Sequence, residues 1–290
     1  MILQLFIVGI GLGTLYALVG IGLNLVYGTM RLLNVGHGDL VMVGALVGYG
    51  VVSGLGLPPL AGLVVATAVS GCLGLVLFWA LFLGLLRRLT PDGLESASLL
   101  IFFGLSMVLQ NTLTWLLTGT PRAYDRYQDI VTFGTVAVTE SRLVALASSA
   151  VLVMAVIAYL RFSIWGFGIR ALLQSREAAA IVGIDVERAF MLSCVAGFAL
   201  TGAAGAIVGM QQPATPFMGG PYTTIAFLIV VVGGLGNMTA SLLCGLAIGL
   251  LETLGTALVG PSNRDLLVYG AFILLLLLRP QGLSHGKTTR

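Results

Sequence analysis

The sequence predicts an all-α fold, a polytopic transmembrane helical bundle. Two observations lead there. Hydrophobic residues make up 58% of the 290 and charged residues only 9%, where soluble domains average about 25% charged. The apolar residues are also gathered into runs close to the ~20 that cross a hydrocarbon core as a helix. A soluble fold could not keep so much apolar surface from water, whereas lipid can face it directly. Residues 1–290 read as a single transmembrane domain. The net charge of +3 is small, and no basic run interleaved with aromatics points to nucleic acid.

Residues 3–27 form a first span, 40–57 a glycine-rich second, and 60–86 a third that is long enough to tilt. Residues 97–117, 143–160 and 189–210 follow. Residues 223–232 are short and stop at the break Gly233-Gly234-Leu235-Gly236-Asn237. Residues 242–259 span well, and 266–278 are short, with Asp265 and Arg279 placed to snorkel at the ends. The count is about nine membrane segments, one or two of them broken or re-entrant. The opening Met1-Ile2-Leu3-Gln4 lacks the basic region of a cleaved signal peptide and reads as the start of the first span.

Orientation follows from Lys and Arg in short loops. Arg87 and Arg88 end the third span. Arg161, Arg170, Arg176 and Arg188 surround the loop after the fifth, and Arg279, Lys287 and Arg290 close the chain. With about nine spans these regions share the cytoplasmic side, so the N-terminus is periplasmic and the C-terminus cytoplasmic. Residues 119–142 form the periplasmic loop. It is near neutral, with Arg122, Arg126 and Arg142 set against Asp125, Asp129 and Glu140.

Glycine recurs at small-xxx-small spacing, as Gly9/Gly13, Gly44/Gly48, Gly50/Gly54, Gly205/Gly209 and Gly245/Gly249. In lipid such pairs let helix backbones approach until dispersion holds them. Packing within one subunit is the expected use, and a subunit interface is the alternative. The breaks Asn34-Val35-Gly36-His37-Gly38-Asp39 and Gly233–Asn237 each precede a helix of small residues, which hints at a weak internal repeat.

Polar residues within spans need partners. Glu252 must face the interior, because an unpaired buried carboxylate costs several kcal/mol. No basic residue at membrane depth suggests itself, so its expected partner is a backbone group, a hydroxyl such as Thr253 or Thr256, or a neighbouring subunit. Asp39 can cap the free amides of the helix it opens. His37 reads as a structural histidine before a gating one. Asn34, His37, Asp39 and Glu252 are the candidate pathway or interior polar residues. Asn24, Gln110 and Asn111 can hydrogen-bond across helices. Cys72, Cys194 and Cys244 sit in apolar runs without metal-ligand spacing and read as small buried residues. The other histidine, His285, is in the tail, which argues against a metal.

Gly286-Lys287-Thr288 falls short of a phosphate-binding loop. Gln281 stands where the first glycine is required, and no strand precedes the stretch. No Ser/His/Asp set or catalytic carboxylate pair can be assembled either. The chain is not expected to be an enzyme or to hold a cofactor.

Residues 162–188 are the longest polar stretch on the cytoplasmic side. Ser175 can cap a helix, Glu177 suits its positive end, and Gly183 is a natural stop. The helix over 176–182 has about two turns, too few to stand alone in water. It either docks into a soluble partner or lies on the membrane surface. Its single small apolar face, from Ala178 to Val182, favours the surface when the residues alone are weighed.

Glu177-Ala178-Ala179 followed by Gly183 resembles the EAA-type coupling loop of ABC importer permeases. GIRALLQSREAAAIVGID, at 168–185, is similar to that loop in the branched-chain amino-acid permease family. Residues 33–39, LNVGHGD, resemble the same family's N-(F/V)-(A/G)-H-G-(D/E) signature. GIGLGTLYALVGIGLNLVYG, VVVGGLGNMTASLLCGLAIGLLET and LLLLLRPQGL fit as well, so the resemblance covers nearly the whole chain. Gly38-Asp39 and the chain length resemble the shorter H-type subunit. Val35 and Gly36 stand where bulkier residues or alanine are the commoner choices in that family, a modest departure.

The resemblance implies that Arg176, Glu177, Ala178, Ala179, Ala180, Ile181, Gly183 and Ile184 form a coupling helix against an ATP-binding subunit. It also implies a second permease chain, two cytoplasmic ATPases that carry ATP and Mg, and a periplasmic solute-binding protein. The expected place is the bacterial inner membrane. The expected solutes are leucine, isoleucine and valine, with urea, short amides or aromatic acids as alternatives. From the residues alone, an ion-coupled transporter using Glu252 and a non-transporting scaffold held by glycine pairs remain open.

Overall fold

The computed structural model describes residues 2–278 apart from Asp125, Gly134 and Thr135. The expectations for Arg279, the 286–288 stretch, His285, Lys287 and Arg290 lie outside the described residues. Helix α1 covers Ile2–Met30 and α2 covers His37–Tyr49, running on into a wide turn at Gly50–Gly54. Helix α3, Pro59–Leu77, continues through a second wide turn into α4, Leu83–Arg88. Helix α5, Pro91–Leu117, leads to the strands β1, Ile130–Phe133, and β2, Val136–Thr139. Then come α6 Glu140–Phe162, α7 Ile164–Gln174, α8 Arg176–Ile181 and α9 Val186–Gly209. The chain closes with α10 Gly219–Gly233, α11 Met238–Val259 and α12 Arg264–Leu278. Among the described residues, 6 helices are long and apolar enough to cross a membrane.

Helix α1 is apolar all round, and such a helix belongs in the middle of a bundle. Every residue from Gly13 to Val26 is buried, and α11, α9, α6 and α10 pack around it. One end of the bundle gathers the C-termini of α1 and α4 with the N-termini of α5 and α9. There Arg87 donates twice to Glu187 at 2.9 Å and Tyr27 donates to Glu95 at 3.4 Å. We call this the inner end. The opposite, outer end carries the start of α1, where Gln4 donates to the Ala137 carbonyl of β2 at 2.7 Å.

The expected second span, 40–57, is not a full crossing. The chain leaves α1 at Met30 and runs back into the bundle over residues 31–36. Helix α2 has 13 residues. It starts where His37 Nε2 meets the Val19 carbonyl at 3.1 Å, roughly 16 Å along α1 from its inner end at 1.5 Å per residue. Non-helical backbone is tolerated at that depth only when protein covers it. Here Leu32, Asn34 and Gly36 are buried, and Leu33 N–H donates to Ser98 Oγ at 3.0 Å.

Helix α10 is also short, at 15 residues, and its first residue meets the first turn of α2. Gly38 N–H donates to Thr223 Oγ1 at 2.8 Å, and the Asp39 carboxylate lies against Gly219. Two positive helix ends therefore converge on one carboxylate, a favourable arrangement for all three.

Four of the five glycine pairs pack within the chain. Gly9 and Gly13 of α1 face α11, whose Gly245 and Gly249 face back, while Gly44/Gly48 and Gly205/Gly209 interleave α2 with α9. A Cβ added at Gly50 or Gly54 would meet nothing within 4 Å, so the fifth pair is not needed for close helix packing inside this subunit. A Cβ at Gly245 would sit 2.6 Å from Ala17 Cα, which is backbone and cannot yield. Gly245→Val is therefore expected to force α1 and α11 apart at a cost of about 1–3 kcal/mol or more. Gly50→Ala should be neutral, and thermal midpoints of the purified proteins in detergent check the contrast.

The 119–142 segment is more ordered than a plain loop. Its hairpin pairs Ile130 with Thr139 and Val131 with Val138, and α6 starts at Glu140. The β-branched run Ile130-Val131-Thr132 and the alternating Val136-Ala137-Val138-Thr139 carried that signal.

Candidate functional site

At the inner end, α7 and α8 form an angled pair between α6 and α9. Helix α7 turns Gly166, Ile169 and Leu172 inward and leaves Ile164 and Phe167 exposed. Arg170 stacks on Phe167 at 4.4 Å. This is the pattern of a helix anchored at the lipid interface. Helix α8 differs. Ser175 Oγ accepts from Ala178 N–H at 3.2 Å, Gly183 adopts φ +84°, and Ile184 N–H donates to the Ala179 carbonyl at 3.0 Å. Asp185 then caps α9 by accepting from Arg188 N–H at 3.0 Å.

Of the expected coupling residues, Ala179 is buried and Ile184 is half-buried. Arg176, Glu177, Ala178, Ala180, Ile181 and Gly183 are exposed, with Ile181 at 85% and neighbouring Val182 at 74%. Arg176 holds the helix down by stacking on Phe190 at 5.0 Å. A capped turn thus presents apolar and acidic groups that no other described residue covers.

That turn connects to the bundle through α7. Leu173 packs against Gly28 near the end of α1 and against Gly236 in the α10–α11 break. The break is tied to α1 by one side chain. Asn24 Nδ2 donates to Ser241 Oγ at 2.8 Å and to the Gly234 carbonyl at 3.2 Å, while Oδ1 accepts from Gly236 N–H at 2.7 Å. Sequence reasoning gave Asn24 only a generic cross-helix role, because its targets lie more than two hundred positions away. Gln110 fulfils its expected role by donating to Asp39 at 3.0 Å, but Asn111 turns to the Met107 carbonyl of its own helix at 2.7 Å.

His37 is fully buried. The Val19 carbonyl can only accept, so Nε2 carries the proton, and Thr201 Oγ1 lies 2.9 Å from the same nitrogen. His37 thereby joins α1, α2 and α9. Asp39 does not cap α2. Its carboxylate is used by Gln110 on α5 and by the α2–α10 junction, and it leaves the amides of its own first turn alone. Asn34 is buried beside them in the re-entrant segment 31–36.

The expectation for Glu252 is corrected. A basic residue does reach it. Arg264, the first residue of α12, donates through Nε to Oε1 at 2.5 Å, and Tyr16 of α1 donates its hydroxyl to Oε2 at 2.8 Å. Arg264 also donates to the Tyr16 oxygen at 2.8 Å, which closes a ring of three groups. Thr256 donates to backbone instead, to the Glu252 carbonyl at 2.7 Å and the Thr253 carbonyl at 3.3 Å. The cluster borders an outer cavity of about 520 Å3. A second cavity, of about 670 Å3, lies at the inner end between Arg161, Arg170, Leu173 and the break residues Leu235–Asn237. Asn24 and its partners stand between the two along α1.

Comparison with known proteins decides the family. The family described as branched-chain amino acid transport system / permease component matches residues 5–277. This chain belongs to that family. Among curated relatives of this permease, the high-affinity branched-chain amino acid transport system permease protein LivH of Salmonella typhimurium is 27% identical over 97% of this chain and 94% of its own length. The corresponding protein BraD of Pseudomonas aeruginosa is 26% identical over 97% and 95% of the two chains. A probable LivH of Methanocaldococcus jannaschii is 28% identical over 93% and 88%. No solved structure matches the permease. The matched residues take in the re-entrant segment 31–36, the α7–α8 turn, the α10–α11 break and the Glu252–Arg264 cluster.

Proposed function

We propose that this permease is one transmembrane half of an ATP-driven importer for leucine, isoleucine and valine. It works beside a second permease chain, two cytoplasmic ATP-binding subunits and a periplasmic binding protein that delivers the solute. The inner end carries Arg87, Arg88, Arg161, Arg170, Arg176 and Arg188, and positive residues favour the cytoplasmic side. On that orientation the N-terminus is periplasmic and α8 faces the ATPases.

One observation carries the reading: α8 is capped at both ends and, among the described residues, Glu177, Ile181 and Val182 are left exposed. A turn this short cannot hold its shape alone, so the caps and the Arg176–Phe190 stack serve a surface meant to receive force. Movement of α8 is passed to α7 and then, through Leu173, to Gly28 and Gly236. The Asn24 hydrogen bonds couple that displacement to α1, α10 and α11, between the two cavities. ATP-dependent closure of the motor subunits selects one arrangement of this junction over the other, and access alternates.

The relatives' names supply the solute class. The charge of Glu252 is balanced by Arg264 and Tyr16 within this chain, so it needs no coupling proton or sodium ion to neutralise it. Reconstitution into liposomes tests the whole proposal. Leucine uptake should require the second permease, both ATPases, the binding protein and ATP. Uptake by this chain alone, driven by a proton or sodium gradient, would contradict it.

A further inference from the structure

The outer cavity carries more information than its bordering ion pair. Its volume of about 520 Å3 suits one small solute. Part of the lining is aliphatic, from Leu12, Leu15, Val208 and Ile225. The charged part consists of Arg142, Glu252 and Arg264. These three leave one positive charge unmatched. Arg264 is spent on Glu252 and Tyr16, whereas Arg142, in the first turn of α6, has no hydrogen bond or ion pair among the described residues. A planar fork of donors with nothing to bind is suited to a carboxylate.

Glu252 also has capacity to spare. A carboxylate offers about four lone-pair sites, and here Oε1 takes one bond from Arg264 and Oε2 one from Tyr16. A free guanidinium, a half-used carboxylate and an aliphatic wall around one cavity are complementary to a zwitterion with a branched hydrocarbon side chain.

We infer that the outer cavity is a low-affinity subsite of the permease for the amino acid itself. Arg142 receives the α-carboxylate, Glu252 receives the α-ammonium group, and Leu12, Leu15, Val208 and Ile225 receive the side chain. The solute released by the binding protein is thus held, facing α1, before the junction opens. The inference rests on the proposed transport of branched-chain amino acids. The site must release its solute at every turnover, so millimolar affinity is the expected scale, on the order of four kcal/mol.

Equilibrium dialysis of radiolabelled leucine against the purified permease–ATPase complex, without binding protein, tests it. Binding should saturate in the millimolar range. Valine and isoleucine should compete, whereas 3-methylbutylamine and 4-methyl-2-oxopentanoate, each lacking one charged end, should not. Arg142→Gln should weaken leucine binding at least tenfold, and Arg142→Lys should recover most of it. Arg142 is exposed and bonds nothing among the described residues, so its replacement removes no contact that holds the fold. Absence of saturable binding overturns the inference, and so does binding that ignores Arg142→Gln. Equal affinity for the oxo acid overturns the zwitterion assignment. Where wild-type ATP-driven leucine uptake persists, those failures leave the transport proposal standing. Where the complete wild-type system carries no leucine, both fall.

Discussion

Glu177→Arg is expected to abolish ATP-driven uptake while the bundle stays folded. Glu177 lies in the first turn of α8, is exposed, and has no ion-pair partner among the described residues. Reversing its charge removes a favourable helix-end interaction of roughly 0.3–1 kcal/mol at most. That is too little to unfold a protein whose core lies along α1. At a docking surface the same reversal places a cation where the partner has been shaped for an anion. Losing one partner of a close interfacial charge pair costs about 2–5 kcal/mol, which is roughly thirtyfold to several thousandfold in affinity at 1.4 kcal/mol per decade. Uptake in liposomes should fall by at least that lower factor, with the thermal midpoint shifted by no more than a few degrees. ATP hydrolysis should stop responding to the loaded binding protein. Undiminished uptake would remove α8 from the coupling path.

Arg264→Met is expected to be the most destabilising single change at the outer end. It leaves the Glu252 carboxylate, 7% exposed, with only the Tyr16 hydroxyl. Breaking a buried ion pair from one side costs about 3–5 kcal/mol, because the surviving charge is stranded. Arg264 itself is 38% exposed along its side chain, so water can partly replace it and the lower part of that range applies. Glu252→Gln in the same background should restore most of the loss, since a neutral amide can still take the Tyr16 hydrogen bond. Thermal midpoints of the two single variants and the double variant form a cycle that isolates the pair. If Arg264→Met unfolds no more easily than wild type, Glu252 does not depend on the pair.

Much of this arrangement was legible in the sequence, wherever a local cause sufficed. Ser175, Glu177 and Gly183 delimit α8 from neighbours one to three residues away, and the structure puts the cap, the turn and the left-handed glycine at those positions. Runs of apolar residues likewise placed the long helices to within a few positions. The depth at which a short segment sits was not legible. Residues 40–57 have the composition of a crossing, yet α2 starts mid-bundle because the chain re-enters after Met30, and composition does not record where a segment begins.

Polar partners separated by sequence were equally hidden. Glu252 and Arg264 are brought together by the turn between α11 and α12, and the sequence offered no basic residue at membrane depth as a partner for Glu252. Only the position of Arg264 at the very start of an apolar helix hinted that it could reach back. Asn24 could be assigned to hydrogen bonding but not to the α10–α11 break. Asp39 looked like a cap because helix-start carboxylates usually are, and the competing demand of Gln110 and the α10 end became visible only with the packing. Gly50 and Gly54 show the converse: the spacing is right, yet a side chain at either position would meet nothing within 4 Å.

The central claim is that α8 is where a separate motor protein pushes. Disulfide-independent cross-linking measures it most directly. In the assembled transporter, with exposed Cys72 replaced by serine, Ile181→Cys should give a covalent product with the ATP-binding subunit when treated with a short thiol–amine reagent. The yield should change on addition of ATP. A cysteine at that position that reacts only with reagents dissolved in the lipid, and never joins the ATP-binding subunit, would contradict the account.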